Sequence, residues 1–176
     1  GDQREAADSA HALFADPRSE FVGVLKLWDA YRQAHEELTQ SKLRDWCERH
    51  FLGFLRMREW RELHRQLLLL CEELGWALDA PAEKGAKVPK PPAEPSADGL
   101  AVDYAALHRA LIPGLATQLG HKGDKGQYEG PRGRRFALFP GSPLAKAPPP
   151  WVLSAVLLDT AKVWGLMNAR IEPDWA

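Results

Sequence analysis

The sequence predicts an α+β chain, a helical bundle followed by a small antiparallel β-barrel. Three observations carry this. Apolar residues recur at helical spacing as far as Gly75; a stretch of Pro, Ala, Lys and Glu at 79–98 breaks every pattern; and beyond His121 the helical period gives way to short strand-like runs between Pro/Gly turns. With 176 residues, 45% of them hydrophobic and 27% charged, the chain can fold as one ordinary domain or two small ones.

The first helix is expected from Asp16-Pro17, with Asp as cap and Pro at the first helical position. Its apolar stripe is Phe21, Val24, Leu25, Trp28 and Tyr31. After Thr39 or Ser41 as cap, Leu43, Trp46, Cys47, Phe51, Phe54 and Leu55 make a second face. A third runs through Met57, Trp60, Leu63, Leu67, Cys71 and Leu74 until Gly75. The prolines of 79–98 block helix and central strand alike, so that stretch reads as a semi-extended linker. A fourth helix starts with Asp103 as cap and runs through Leu107, Leu111, Leu115 and Leu119, kinked at Pro113-Gly114 and closed by Gly120. Strands are expected at Gln127–Glu129, Arg134–Phe139, Trp151–Asp159 and Lys162–Ile171. Four such strands suit a five-stranded OB-type barrel with one strand missing at the C-terminal end.

Several function classes have no support in the residues. The net charge of −1 provides no global field for a polyanion, so any such site must come from local clustering. No apolar run reaches the roughly 20 residues of a membrane span and no leader pattern opens the chain, which places it in the cytoplasm. Cys47 and Cys71 fall in apolar helical patterns and read as buried, reduced thiols. The abrupt beginning and end suggest an excised piece. No phosphate-binding G-x-x-x-x-G-K-[ST] loop is present, and the glycines around His121 lack the strand-before, helix-after context of a dinucleotide site. The six histidines are scattered, which argues against a metal, and Ser142, His121 and Asp124 have no nucleophile elbow.

Two basic clusters remain. Lys42, Arg44, Arg49, Arg56, Arg58, Arg61 and Arg65 crowd the second and third helices, with Arg58, Arg61 and Arg65 on one face. That stripe suits phosphate oxygens, or is a solvated face laced by pairs such as Glu62 with Arg58 or Arg65. Lys122, Lys125, Arg132, Arg134 and Arg135 stand on barrel loops and strand starts, interleaved with Tyr128 and Phe136. OB-type barrels hold single strands with that combination, stacking bases on aromatic rings. The alternative is that Phe136 and Phe139 are core, Tyr128 an edge residue, and the arginines keep a small sheet soluble. The residues alone leave both open.

The segments FADPRSEFVGVLKLWDAYRQ, LTQSKLRDWCERHFLGFLRMREWRELHRQL, DYAALHRALIPGLATQLGHKG, QYEGPRGRRFALFPGSPL and PPPWVLSAVLLDTAKVWGLMNARIEPDW, in this order and spacing, resemble the bacterial HrpA-type DEAH-box RNA helicases from Phe14 to Trp175. The resemblance implies that 1–120 is the second half of a ratchet-like helical domain with its linker at 79–98. It makes 121–176 the start of an OB-fold domain, incomplete at the C-terminus. It implies a non-catalytic piece of an ATP-dependent helicase whose ATP and Mg²⁺ are held by absent RecA-like motor domains. Its expected partners are single-stranded RNA, those motor domains and the ribosome, with no membrane. The residues expected on RNA are Arg132, Arg134, Arg135, Lys122, Lys125, Tyr128, Arg56 and Arg58. Two features depart from the family pattern. Pro113-Gly114 interrupts a helix that relatives keep continuous, while Val156 and Leu166 stand where relatives commonly carry Glu and Arg.

Overall fold

The computed structural model of the chain describes residues 2–78 and 102–176, so the linker read at 79–98 lies outside the described residues. The described residues divide into two compact units, one of residues 2–13 and 30–78 and the other of residues 14–29 and 102–176. The boundary expected at 120/121 therefore falls inside the second unit.

In the first unit are α1 (Asp2–Ala12), the C-terminal half of α2 (Glu20–Glu37), α3 (Gln40–Arg49) and α4 (Phe54–Glu73). α1 was not foreseen, and it buries no side chain. Its anchor is polar, with His11 Nε2 donating to the His50 carbonyl at 2.9 Å. Tyr31, Ala34, Leu43, Cys47 and Met57 form the buried core, so of the two cysteines Cys47 is buried and Cys71 is half-exposed. α3 and α4 are separated by Phe51, at φ 54, with Leu52 and Gly53, which moves Phe54 and Leu55 into the later helix. Gly75, at φ 68, ends the stretch as expected. The third apolar face is not a core face. Leu63, Leu67, Leu70 and Leu74 are exposed, and Met57 is the buried residue of α4.

The second unit is a barrel with the start of α2 and with α5 (Tyr104–Leu115) packed on it. Helix α2 begins later than its Asp-Pro signal suggests. Asp16 Oδ1 accepts from the backbone of Arg18 and Ser19 in a turn, and it is Ser19 Oγ that accepts from Val22 N in the N-cap geometry. Asp103 caps α5 as expected, accepting from Ala106 N at 3.0 Å. α5 then stops at Leu115, two residues after Pro113, and a single helical turn (Ala116–Gln118) leads into β1 (Leu119–Lys122).

β1 was read as the end of the helix because Leu119 continues a four-residue leucine spacing. It is the strand that closes the barrel, so five strands are present among the described residues rather than the four expected. With β2 (Gln127–Glu129), β3 (Arg135–Leu138), β4 (Trp151–Asp159) and β5 (Val163–Arg170), the order is β1-β2-β3-β5-β4, closed by β1 on β4. The pairs are antiparallel except β3 with β5, which run parallel. This is a five-stranded Greek-key barrel. Tyr128, Phe136, Leu138, Leu144 and Val152 fill its interior. Gly120 is therefore no helix cap; a Cβ there would lie 2.6 Å from Phe136 Cζ, so the residue makes room for the ring. Outside, Ile112, Leu153 and Ile171 bury α5 against the sheet with Phe21 and Trp175 beside them.

Candidate nucleic-acid interface

The two hairpins of the barrel share one turn design. In each, the two central residues have positive φ: Lys125 at 56° and Gly126 at 74°, then Arg132 at 60° and Gly133 at 72°. Gln127 N returns to the Asp124 carbonyl, and Arg134 N to the Pro131 carbonyl. These are type I′ turns, whose twist matches the strands they join. Glycine meets the second position at no cost, but a long cation occupies the first, where Asn, Asp or Gly is the usual choice. Each hairpin thus places a strained cation at its tip. Such outliers point to function when the surrounding fold holds them in place.

Of the barrel residues expected on RNA, all five cations are exposed. They do not form one patch. Consecutive hairpin turns fall at opposite ends of the strand they share, so Lys125 lies at one end of β2 and Arg132 at the other. Lys122 is directed toward the Pro148 carbonyl at 3.4 Å. Arg135 is held by Glu129 at 3.2 Å across the β2–β3 ladder, where the two residues are direct partners. Around the second turn gather Arg132, Arg134 and Arg135, with the Glu129 carboxylate beside them.

Tyr128 is a correction. It is fully buried and stacked on Phe136 with ring centroids 5.8 Å apart, its hydroxyl donating to the Pro149 carbonyl at 2.6 Å, and burial pushes that hydroxyl's pKa up to about 12. No base can reach the ring. Aromatic surface lies elsewhere, in exposed Phe139 after β3 and half-buried Trp164 on β5, which meet edge to face at 6.1 Å. Lys162 Nζ sits 4.9 Å from the Trp164 ring centre. The alternation of Lys162-Val163-Trp164 out of the turn before β5 is the sequence signal for this arrangement, obscured by the apolar character of the whole strand.

Where the barrel meets α2 a buried polar chain forms. Ser154 Oγ donates to Asn168 Oδ1 at 2.6 Å, Asn168 Nδ2 donates to the Gly165 carbonyl at 2.9 Å, and Glu20 Oε2 accepts from both Ser142 Oγ and Asn168 N. The Glu20 charge in this group is held by two hydrogen bonds on Oε2, so the group reads as scaffold. Val156 and Leu166, both expected to depart from the family pattern, are direct cross-strand partners.

In the helical unit Arg56 pairs with Glu59 at 2.9 Å, with both side chains largely in water. Arg65 holds Glu62 at 2.7 Å, and these hydrogen bonds keep the Glu62 carboxyl at about 2. Arg65 of the expected stripe, and Arg56 from the wider cluster, thus belong to solvated i,i+3 pairs. Arg58 instead lines an open groove of about 860 Å³ with His35, Leu43, Phe54, Arg61 and Leu63. No cluster of His, Cys, Asp or Glu able to hold a metal exists among the described residues, and none of their helices is long and apolar enough to cross a membrane.

A closed five-stranded Greek-key barrel of this strand order defines the OB-fold class, and the family described as oligonucleotide/oligosaccharide-binding (OB)-fold matches residues 107–176. The matched region begins within α5, the helix that packs on the barrel. Over 99% of its length the chain is similar to the ATP-dependent RNA helicase HrpA of Escherichia coli (strain K12), at 36% identity over 175 residues, and to the ATP-dependent RNA helicase HrpA homolog of Haemophilus influenzae, at 35% over 175 residues. The chain spans 12% of the length of either relative. It is thus similar to one segment of HrpA-type helicases, an OB-fold domain with helices before it.

Proposed function

We propose that this chain is the RNA-gripping accessory module of an ATP-dependent DEAH-box RNA helicase, acting in the cytoplasm. In this reading it holds single-stranded RNA while RecA-like motor domains of the same protein, with ATP and Mg²⁺, supply the stepping. The observation that carries it is the strained Arg132 turn with Arg134 and Arg135 beside it, on a barrel of the class that binds oligonucleotides. Guanidinium groups suit the task because their forked donors match phosphate oxygens. The chain itself has no nucleotide loop and is assigned no catalytic step. The test is a fluorescence-anisotropy titration with a labelled single-stranded RNA of about ten nucleotides, in the range of OB-fold site sizes. Binding that weakens steeply with salt supports the proposal, and no binding at low salt refutes it.

A second reading, a scaffold that docks a protein or the ribosome, is favoured by one observation. Leu55, Leu63, Leu67, Leu70 and Leu74 are exposed along α4, a contiguous apolar stripe that water does not favour. Recovery of a protein partner that survives nuclease treatment would support it.

A further inference from the structure

With Tyr128 buried, the aromatic half of an RNA site must come from elsewhere on the barrel. Phe136 is also interior, so by strand alternation Arg135 and Ala137 point away from the barrel interior on β3, Arg135 exposed and Ala137 itself 6% exposed. Ala137 is the register partner of Trp164 on β5, and Gln127, Ala137, Trp164 and Leu158 form one cross-strand row. Trp164 therefore stands on the same face as Arg135, two residues along and one strand across, a backbone separation of about 8 Å. Its neighbour Phe139 is 38% exposed and braces the indole edge to face.

The Lys162 ammonium over the indole shows that this ring face is reachable from solvent. A flexible lysine can leave the ring for a phosphate while a base takes its place, which keeps the aromatic face covered and adds an ion pair. Resting on the RNA-binding reading above, we infer that Trp164, braced by Phe139 and flanked by Lys162 and Arg135, is the base-stacking platform of this barrel for single-stranded RNA. Stacking needs a π-face and no base-edge contact, so the platform accepts any base.

The experiment uses the whole 176-residue chain and the same labelled RNA. Trp164→Leu, which keeps an apolar side chain but removes the π-face, is expected to weaken binding about tenfold with the salt slope unchanged, and Trp164→Phe to stay near wild type. On an abasic strand of equal length the Leu variant and wild type should bind alike. A second measurement needs no variant: photo-crosslinking of 5-bromouridine RNA to the wild-type chain should label the tryptic peptide 163–170, in which Trp164 is the aromatic residue. Wild-type affinity in Trp164→Leu, an equal loss on the abasic strand, or crosslinks confined to other peptides overturns the platform while leaving RNA binding intact. Absence of RNA binding by the wild-type chain overturns both.

Discussion

Ser19 Oγ and His108 Nε2 lie 2.6 Å apart and fully buried, although 89 residues separate them in the chain. The other ring nitrogen, His108 Nδ1, is 2.6 Å from the Tyr104 carbonyl, which can only accept, so Nδ1 carries the proton. Nε2 then accepts from the Ser19 hydroxyl, and Ser19 Oγ in turn accepts from Val22 N at the start of α2. One neutral imidazole thus ties the first turn of α2 to α5.

That arrangement predicts a pH dependence of stability. Burial pushes the His108 pKa down, with the Arg18 charge adding to the effect and the Tyr104 carbonyl and Asp16 opposing it. A histidine depressed in the folded state binds its proton more readily when unfolded, so stability is fully present above the ordinary histidine pKa and falls as the pH drops through it. Chemical denaturation at about pH 7.5 and about pH 5.5 should show the acid loss in wild type and a smaller loss in His108→Gln. Equal losses in the two proteins would remove His108 from the account.

Tyr128→Phe tests the corrected role of the tyrosine. The variant keeps the packing against Phe136 but leaves the buried Pro149 carbonyl without its donor at 2.6 Å. The expected cost is about 1–2 kcal/mol of stability with RNA affinity unchanged. A stacking tyrosine would give the reverse result, lost affinity at constant stability.

The strands of this fold were legible where alternation and turn residues are strong. Gln127–Glu129 and Trp151–Asp159 match the expected bounds, and Asp103 and Gly75 mark helix ends by simple cap chemistry. β1 was not legible because Leu119 sits four residues after Leu115, and a four-residue strand carries too little pattern to outweigh that spacing. The cations of the candidate site could be read directly, since Lys and Arg between turn glycines are exposed almost by necessity. Its aromatic part could not. Whether Tyr128 or Trp164 faces water depends on which face of each strand closes the barrel, a tertiary fact. The leucines of α4 mislead for a related reason: a helical apolar face predicts a partner, and none of the described residues buries it.

Gly120→Ala probes that closure. The added methyl would stand 2.6 Å from Phe136 Cζ and 2.9 Å from Tyr128 Cβ, both in the barrel interior. Overpacking of this kind costs about 1–3 kcal/mol. A thermal melt should shift down by several degrees; an unchanged melting temperature would mean that β1 is not packed on the Phe136 ring.

Glu129→Gln addresses the carboxylate that pairs with Arg135 beside the second turn. It holds Arg135 at 3.2 Å in a largely exposed pair, which is worth little to stability. Neutralising it frees Arg135 for phosphate, so RNA should bind a few-fold tighter with stability nearly unchanged. Weaker binding would show that the pair orients Arg135 productively.

Arg132→Asn separates strain from function at a single residue. Arg132 holds φ 60 and ψ 27 at the first central position of a type I′ turn, a conformation that Asn adopts more readily than Arg. Removing the strain should raise stability by about 1 kcal/mol. The same change removes one phosphate contact, so RNA affinity should drop and the slope of log K against log salt should shrink by about 0.7. Opposite signs in the two measurements mean that the fold tolerates a strained arginine because RNA uses it. If stability rises while affinity and slope stay at their wild-type values, Arg132 is a strained turn residue without a ligand, and the site must be rebuilt around Arg134 and Arg135.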